Sequence, residues 1–492
     1  MRMTKTKWSF QMCRKWYLVI LLSFLLFRMC VPLSLALPSS VDSLAFSLIA
    51  MGGAFLLLFD LLYHRRLFQM RGNTWLFCLL VVGLLSSLIN SGYGLFDNLK
   101  TLVWTAIQMF LLYATGKERK RRDVEEEIFL LARVFLLIWF LLTSIGVAMF
   151  VFQIGYVDGG ILKIRQGFYD NRLWGLFKDP NYAAILSIIS IVLSVFYFKK
   201  TAHKTVKGIL LINVLVQFVY LVLSGSRTGM VAAIVVMAAG VFLSLRPWLQ
   251  GKMVRRWACE GIAVVGAIVS AVLLLGTMEL TKAGVEHVPD LVGAMGGHFS
   301  PVTLDRSDVV DNEDISNMRF KIWGSGFDVF KTTPVVGTSP RNTLDYAKDH
   351  LPDTFIVEKN YILHNGYLEV LVSTGIFGTL FALGFIGDRI KIIVYYYFGT
   401  GWKSRRYYRE STYCLLICLA VAVSAVFLSE VFFANTLGTC LFWIFLGYSD
   451  FFMLRGVQRE ERKNEKAPLT CRIADWLEEK MRGRPQQLQR GE

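Results

Sequence analysis

Long apolar runs dominate this chain and limit what it can fold into. Uninterrupted apolar stretches recur between short charged segments, and at about 17 to 25 residues each has the length that a membrane-spanning helix needs. The runs lack the alternation that lipid-facing strands require. With 54% hydrophobic residues, the chain also carries more apolar surface than a soluble fold can bury. The sequence therefore predicts an all-α, polytopic helical membrane protein.

The pattern predicts about twelve transmembrane helices. The predicted spans are 16–37, 43–63, 74–91, 99–115, 128–153, 180–198, 208–224, 229–245, 257–277, 367–387, 411–432 and 436–454. The first run lacks an A-x-A cleavage site and leads directly into the next, so we interpret it as a retained helix. Lys and Arg concentrate in segments that alternate on one side, for example Lys117–Arg122 and Lys403–Arg406. This positive-inside pattern predicts cytoplasmic termini and accounts for the net charge of +16 without a nucleic-acid partner.

Four regions follow from these spans. We predict nine helices within 1–277, a large extracytoplasmic loop subdomain over 278–366, three helices within 367–454 and a cytoplasmic tail over 455–492. Another long outward segment runs from about 155 to 179. Within the large loop, apolar residues at helical spacing predict an amphipathic helix over 315–331.

The sequence offers little support for a metal or a disulfide. An acidic stretch runs from Asp305 to Asp314, but its spacing matches no EF-hand and contains no D-x-D. We therefore interpret it as a solvated loop. None of the eight cysteines falls in the long outward loops, and no C-x-x-C pair occurs.

An enzyme that faces outward has no ATP, so its bond energy must arrive within the donor. The chain has neither a G-x-x-x-x-G-K-[ST] phosphate loop nor a dinucleotide G-x-G-x-x-G after a strand. A sugar carried on a lipid diphosphate meets this constraint, because its leaving group is already activated. Catalysis then needs cations for the departing diphosphate and a base for the acceptor hydroxyl.

Arginine suits the first task, because its planar fork binds phosphate oxygens in pairs and stays charged. The arginines predicted on the outward side are Arg165, Arg172, Arg227, Arg319 and Arg341. Arg227 is favoured, because it lies in a turn of small residues over 224–229 that lets a head group approach. The alternative is an interfacial arginine that reaches lipid phosphates.

Histidine suits the second task, because its pKa lies near working pH. His364 precedes the helix that enters the membrane at Gly366, and the alternative is a capping or interfacial histidine. Glu369 and Glu430 are charged residues within spans, so either could orient an arginine or act as the base instead. Arg28, deep in the first span, is more readily explained by pairing with an internal carboxylate.

Four local patterns occur in order along the chain. They are Gly175-Leu176-Phe177-Lys178-Asp179-Pro180-Asn181, Ser224-Gly225-Ser226-Arg227-Thr228-Gly229, Arg319-x-x-x-Trp323 followed by Pro334-x-x-Gly337, and His364-Asn365-Gly366-Tyr367-Leu368-Glu369 followed by Gly375 and Gly378. In order and sidedness, this set over about residues 160–390 resembles the O-antigen ligase and polymerase family of bacterial membrane glycosyltransferases.

The resemblance implies a lipid-sugar glycosyltransferase fold and inverting transfer from an undecaprenyl diphosphate-linked glycan to a glycan or lipid acceptor, without metal or cofactor. By it, Arg227 together with Arg172 or Arg165 holds the diphosphate, and His364 activates the acceptor. Arg341 is a further phosphate ligand or a loop residue. The supporting residues are Glu369, Glu430 and Asn365.

Ligases and polymerases share these patterns. We slightly prefer a polymerase of O-antigen or capsule in the bacterial cytoplasmic membrane, because polymerases serve more kinds of cell surface. A transporter or flippase of polysaccharide or lipid-linked oligosaccharide is the alternative of another class. Transporters usually show two related halves, and this sequence shows no such repeat.

Overall fold

The computed structural model describes residues 4–116, 119–157, 164–252, 255–294, 302–305, 318–399 and 407–461. Its α-helices are α1 (Thr4–Met29), α2 (Val31–Ala36), α3 (Ser39–Phe59), α4 (Asn73–Ile89), α5 (Leu95–Ile107), α6 (Arg121–Val151), α7 (Pro180–Lys200), α8 (Lys204–Leu223), α9 (Arg227–Gln250), α10 (Arg256–Glu286), α11 (Val288–Gly293), α12 (Arg319–Thr332), α13 (Thr343–His350), α14 (Phe355–Lys359), α15 (Gly366–Phe398), α16 (Tyr408–Ser424) and α17 (Leu437–Glu461). Two π-helical turns, Asp60–His64 and Gln108–Leu112, continue α3 and α5.

The all-α membrane architecture is confirmed. Nine helical stretches in the described part of the chain are long and apolar enough to cross a membrane. They are Phe10–Met29, Ser39–His64, Arg121–Val151, Pro180–Lys200, Lys204–Leu223, Arg227–Gln250, Trp257–Gly293, Gly366–Phe398 and Leu437–Gly456. The other three predicted spans fall on α4, on α5 with its π turn, and on α16, which are shorter helices.

The first predicted span, 16–37, is not one continuous helix. The α-helix stops at Met29, and Cys30 adopts an extended backbone that pairs with Phe177. Val31 donates its backbone N–H to the carbonyl of Leu176 at 2.8 Å. Pro32 lies in the first turn of α2, where its missing N–H is tolerated. The break therefore joins the first helix to the predicted outward segment over 155–179, which is called the first outward segment below.

That first outward segment contains a small antiparallel sheet. Its strands, β1 (Gly155–Val157), β2 (Arg165–Tyr169) and β3 (Arg172–Gly175), pair in chain order. Residues 158–163 lie outside the described part. The sheet sits between the end of α6 and the start of α7, where it carries two of the predicted arginines.

A separate apolar cluster joins the short helices before α15. Its buried members are Ile322, Val329, Tyr346, Ala347, Ile356, Leu363, Leu368 and Val372. These residues come from α12, α13, α14, the segment before α15 and the first turns of α15. The predicted amphipathic helix over 315–331 is observed as α12, with 315–317 outside the described residues. Asp308, Asp311, Glu313 and Asp314 of the acidic stretch also lie outside them, whereas Asp305 pairs with Lys282 at 2.6 Å.

Helix α15 is kinked at Gly375, whose φ is +63°. The loop after α12 crosses the helix there, since Ile376 donates its N–H to the Pro334 carbonyl at 2.8 Å. A Cβ on Gly375 would lie 2.4 Å from the backbone of Val335. The backbone that approaches this glycine most closely is therefore the loop after α12.

The end of the bundle at which α1 and α6 begin holds buried ion pairs. Glu127 of α6 accepts from Arg14 of α1 at 2.8 Å, from Arg119 at 2.8 Å and from Tyr448 of α17 at 2.7 Å. Since all three partners neutralise or hydrogen-bond one carboxylate, they tie three helices together. At the other end of α1, Arg28 pairs with Asp42, in the first turn of α3, at 3.1 Å. Both side chains are partly exposed, so Arg28 has a carboxylate partner, but that partner lies at a helix start rather than inside a span.

Candidate active site

The turn before α9 is built by a helix cap. Ser226 is the N-cap residue, and its hydroxyl accepts from the Gly229 N–H at 3.0 Å. The same hydroxyl donates to Oδ1 of Asn181, on α7, at 2.9 Å. Arg227 is the first residue of α9 and is half-buried. The Arg227 side chain therefore extends from a helix N-terminus, where the helix dipole also favours binding of an anion.

Arg172, on β3, is joined to this turn. Its Nε donates to the carbonyl of Ser224 at 2.5 Å, and its Nη2 donates to Oδ1 of Asn181 at 2.7 Å. The side chain is buried, with 9% of its surface exposed. One amide oxygen thus receives hydrogen bonds from both Arg172 and Ser226, which couples β3, α7 and the start of α9.

The structure separates the two arginines of the first outward segment. Arg165 lies on β2, is 44% exposed and pairs with Asp170 at 3.6 Å. Its guanidinium carbon is 5.4 Å from the ring centroid of Trp174, and that of Arg172 is 5.5 Å from the same ring. Trp174 thus contacts both cations, but only Arg172 is hydrogen-bonded to the turn before α9.

Arg319, the first residue of α12, approaches the same turn from the large loop. Its Nη2 donates to the hydroxyl of Thr228 at 3.4 Å, and its guanidinium lies 5.1 Å from the ring centroid of Phe427. The structure thus groups arginines from β3, α9 and α12, which are Arg172, Arg227 and Arg319. Phosphate oxygens are the ligands that such a group recognises best.

His364 lies half-buried just before α15, with a left-handed φ of 49°. Burial lowers the pKa of its imidazole below the ordinary value; the Asp179 carboxylate opposes that shift, and the Arg319 guanidinium adds to it. His364 therefore lies in the field of Asp179 and Arg319, and a lowered pKa favours the neutral form that can accept a proton.

Asn365 and Gly366 hold His364 in place. The Asn365 side chain caps α15 by accepting from the N–H groups of Tyr367 and Leu368, at 3.1 and 3.0 Å. The N–H of Gly366 donates to the carbonyl of Ala425 at 2.8 Å. The capping role that the sequence left open for His364 thus belongs to Asn365.

The two glutamates are hydrogen-bonded to residues around the end of α16. Glu369 accepts a hydrogen bond from the hydroxyl of Ser429. Glu430 is buried, and it accepts from Ser424 and, at 3.2 Å, from Thr436. Glu430 therefore bonds to its own end of α16 and to the loop that leads into α17, rather than orienting an arginine through these two contacts.

Arg341, in the large loop, contacts a different element from Arg172 and Arg319. It is exposed, and its backbone N–H donates to Oδ1 of Asn98, on α5, at 2.8 Å. Its guanidinium interacts electrostatically with Glu369. Its backbone bond connects the large loop to α5.

Sequence reasoning missed Asp179 and Asn181 as site residues. Asp179 caps α7 by accepting from the Asn181 N–H at 2.7 Å, and Pro180 occupies the first helical position. An Asp-Pro pair at the start of an apolar run is a helix-start signal. That signal could have located both side chains at the end of the bundle, although not the contacts of Asn181 with Arg172 and Ser226.

Fold and site together define a polytopic α-helical membrane protein with a group of arginines and a histidine at one end of its bundle. Residues 212–383 match the family described as O-Antigen ligase, which agrees with the resemblance seen in the sequence. The matched segment runs from α8 to α15 and includes Arg227, Arg319 and His364. A comparison with curated proteins found no significant match. The family match supports a role in cell-surface polysaccharide assembly in a bacterial inner membrane.

Proposed function

We propose that this protein is a glycosyltransferase that uses an undecaprenyl diphosphate-linked glycan as its donor. It acts at the outer face of the cytoplasmic membrane, with both termini cytoplasmic, and needs neither metal nor nucleotide. The observation that carries the proposal is the convergence of Arg172, Arg227 and Arg319 on one turn, with His364 in the field of Arg319.

In this proposal the arginines bind the donor diphosphate. Arg227 contacts the phosphate oxygens from the N-terminus of α9, and Arg319 approaches from the large loop. Arg172, whose Nε and Nη2 bond to protein acceptors, fixes the turn and adds positive charge. Its link to the turn favours Arg172 over Arg165 as the first-segment arginine. The negative charge that develops on the departing diphosphate is then stabilised by cations already in position.

His364 is the proposed general base. Neutral imidazole takes the proton of the acceptor hydroxyl as the hydroxyl oxygen attacks the anomeric carbon of the donor sugar. The bond to the diphosphate breaks on the opposite face, so the anomeric configuration inverts. Glu369 and Asn365 support the start of α15. Arg341 stays a weaker candidate for phosphate contact because its hydrogen bond joins it to α5 rather than to the turn.

Polymerisation of repeat units is slightly preferred over ligation to a lipid core, because polymerases serve more kinds of cell surface. Either reaction joins a lipid-linked glycan to a second glycan-bearing molecule. The two differ in the acceptor, which the arginines and His364 do not distinguish.

The test is complementation of a gene deletion with His364→Ala. We expect surface glycan assembly to fall at least a hundredfold, because general base catalysis contributes about 10²–10⁴-fold. Gel analysis of extracted glycans measures the loss. His287→Ala is the matched control, since His287 follows α10 at the same end of the bundle and its side chain is 78% exposed.

Equal amounts of each variant in the membrane must be shown by immunoblot. Loss of assembly with His364→Ala and full assembly with His287→Ala support the proposal. Normal assembly with His364→Ala excludes His364 as the base, and it returns a transporter to consideration.

A further inference from the structure

A cleft lined by both apolar and polar side chains opens at the end of the bundle away from the candidate active site, beside the loop before α6 and the C-terminal part of α17. Its polar lining comprises Arg66, Arg71, Tyr113, Thr115, Asp450 and Arg455. The cleft holds about 60 Å³ of space for the centres of water-sized molecules. One water needs roughly 10–15 Å³ on such a measure, so the cleft has room for a tetrahedral anion.

Arg66 gives the cleft its clearest binding group. The residue is 7% exposed, and its Nε donates to Asp60 at 2.6 Å. Its Nη1 and Nη2 are buried and have no hydrogen-bond partner among the residues that the structure describes. Two N–H-bearing nitrogens left without acceptors are costly in a buried site, so they indicate a missing acceptor.

The surroundings of Arg66 are crowded with cations. Burial, followed by the Arg14 guanidinium, lowers its pKa to about 10, with Arg119 acting in the same direction and Asp60 opposing. The guanidinium stays charged at pH 7. Arg71 and Arg455 add two further arginines to the lining. An anion placed here would meet a surplus of positive charge.

Two glycines keep the cleft open. Gly116 has a φ of +87°, and a Cβ there would lie 3.1 Å from the Cδ of Arg66. A Cβ on Gly447 would lie 2.8 Å from Oγ1 of Thr115. Oγ1 of Thr115 is buried and also lacks a hydrogen-bond partner within the described ranges. It is therefore a further donor with no acceptor at the same cleft.

Asp450 limits what the ligand can be. Its Oδ2 accepts from Arg389 and Tyr113, whereas its Oδ1 is buried and has no partner in the described part of the chain. A ligand that joins a phosphate to a hydroxyl would satisfy both kinds of group, because the hydroxyl can donate to this oxygen.

We propose that this cleft is a binding site for a phosphate group, distinct from the candidate active site at the opposite end of the bundle. Arg66, Arg71 and Thr115 donate to the phosphate oxygens, and Arg455 adds charge at the mouth. The phosphate belongs either to the headgroup of an anionic phospholipid or to a soluble phosphate compound, since both offer the same chemistry.

The purified full-length protein in detergent is titrated with two probes, which are inorganic phosphate and mixed micelles that contain phosphatidylglycerol. Binding is measured as the increase in the thermal unfolding midpoint with probe concentration. We expect Arg71→Gln and Thr115→Val each to weaken binding, by roughly tenfold for the arginine, as for loss of a hydrogen bond to a charged group. Arg122→Gln is the matched control, because Arg122 lies at the same end with 87% of its side chain exposed.

A response to inorganic phosphate identifies a soluble phosphate compound as sufficient. A response to phosphatidylglycerol alone identifies a lipid headgroup. No response to either probe overturns the proposal, as do equal responses from the wild-type protein and both cleft variants. Thr115→Val changes little but the hydroxyl, so the test survives if Arg71→Gln fails to fold.

Discussion

Asn181 shows how one side chain can organise a charged site. Its Oδ1 accepts from Arg172 and from Ser226, and so it links the first outward segment to the N-terminus of α9. An amide is uncharged, and it therefore orients a guanidinium without cancelling the charge that a diphosphate needs. A carboxylate at this position would hold Arg172 equally well but would repel the donor.

The charges around His364 predict that two substitutions shift the pH dependence of activity in opposite directions. A base works in its neutral form, so activity should fall as the pH drops through the pKa of His364, which burial and Arg319 lower and Asp179 raises. Asp179→Asn removes the group that raises this pKa, so the acidic limb of the pH–rate profile should move to lower pH. Arg319→Gln should move that limb to higher pH. Transfer rates in membranes with added lipid-linked donor, measured from pH 5 to 8, give both limbs.

His287→Ala serves as the control, and its limb should coincide with that of the wild-type protein. A limb that stays in place in both Asp179→Asn and Arg319→Gln would mean that a group other than His364 titrates. Limbs that both move the same way would mean that the variants disturb the fold rather than the field.

Among the elements, α15 depends on a contact with the loop over 334–339. Thr338 and Ser339 donate their N–H groups to the carbonyls of Val372 and Ser373, at 2.9 and 3.1 Å. The hydroxyl of Ser86, on α4, donates to the Ser373 carbonyl at 2.9 Å. These bonds satisfy carbonyls that the kink at Gly375 releases from the helix ladder, and they position the first turns of α15, which follow His364.

Gly375→Ala should therefore destabilise the protein by about 2–4 kcal/mol, because alanine adopts a positive φ poorly and its Cβ would overlap the Val335 backbone. Gly387→Ala is a matched control on the same helix, since a Cβ there meets no atom within 4 Å. Thermal unfolding in detergent measures both. Equal midpoints for the two variants would contradict the role given to Gly375.

At the scale of the whole molecule, the two ends of the bundle differ in chemistry. One end carries buried pairs such as Arg14 with Glu127 and Arg66 with Asp60. The other carries Arg172, Arg227 and Arg319 around a turn. Basic residues that the structure describes, such as Arg119, Arg121 and Lys200, lie at the first end, and the positive-inside rule predicts that this end is cytoplasmic.

This orientation predicts which added cysteines are accessible from outside the cell. Tyr361→Cys lies before α15 at the candidate active-site end, where Tyr361 is 43% exposed. Arg122→Cys lies at the other end. In intact cells a membrane-impermeant thiol reagent should add label to Tyr361→Cys and none to Arg122→Cys beyond the wild-type signal. The reverse labelling result would mean that the protein has the opposite orientation in the membrane. In permeabilised cells both variants should be labelled.

Each span that was predicted from an apolar run overlaps a helix, because length and hydropathy are local properties of the sequence. The apolar runs could not reveal the break at Cys30, because the break depends on backbone pairing with Leu176 and Phe177, which are distant in sequence. Nor could they show that Gly375 is approached by a loop. Arg227, Arg172 and His364 were assigned site roles from the motifs, and Arg319 was named only as one of several outward arginines. The contacts of Asn181 with Arg172 and Ser226 depend on tertiary structure.

The most direct test of glycan transfer is to delete the gene in its own host and size the glycans that remain on the lipid carrier. The account predicts that lipid-linked glycan accumulates and surface glycan is lost, as single repeat units for the preferred polymerase or as long chains for a ligase. A normal glycan profile, in a host with no second copy of the gene, would contradict the proposed transfer.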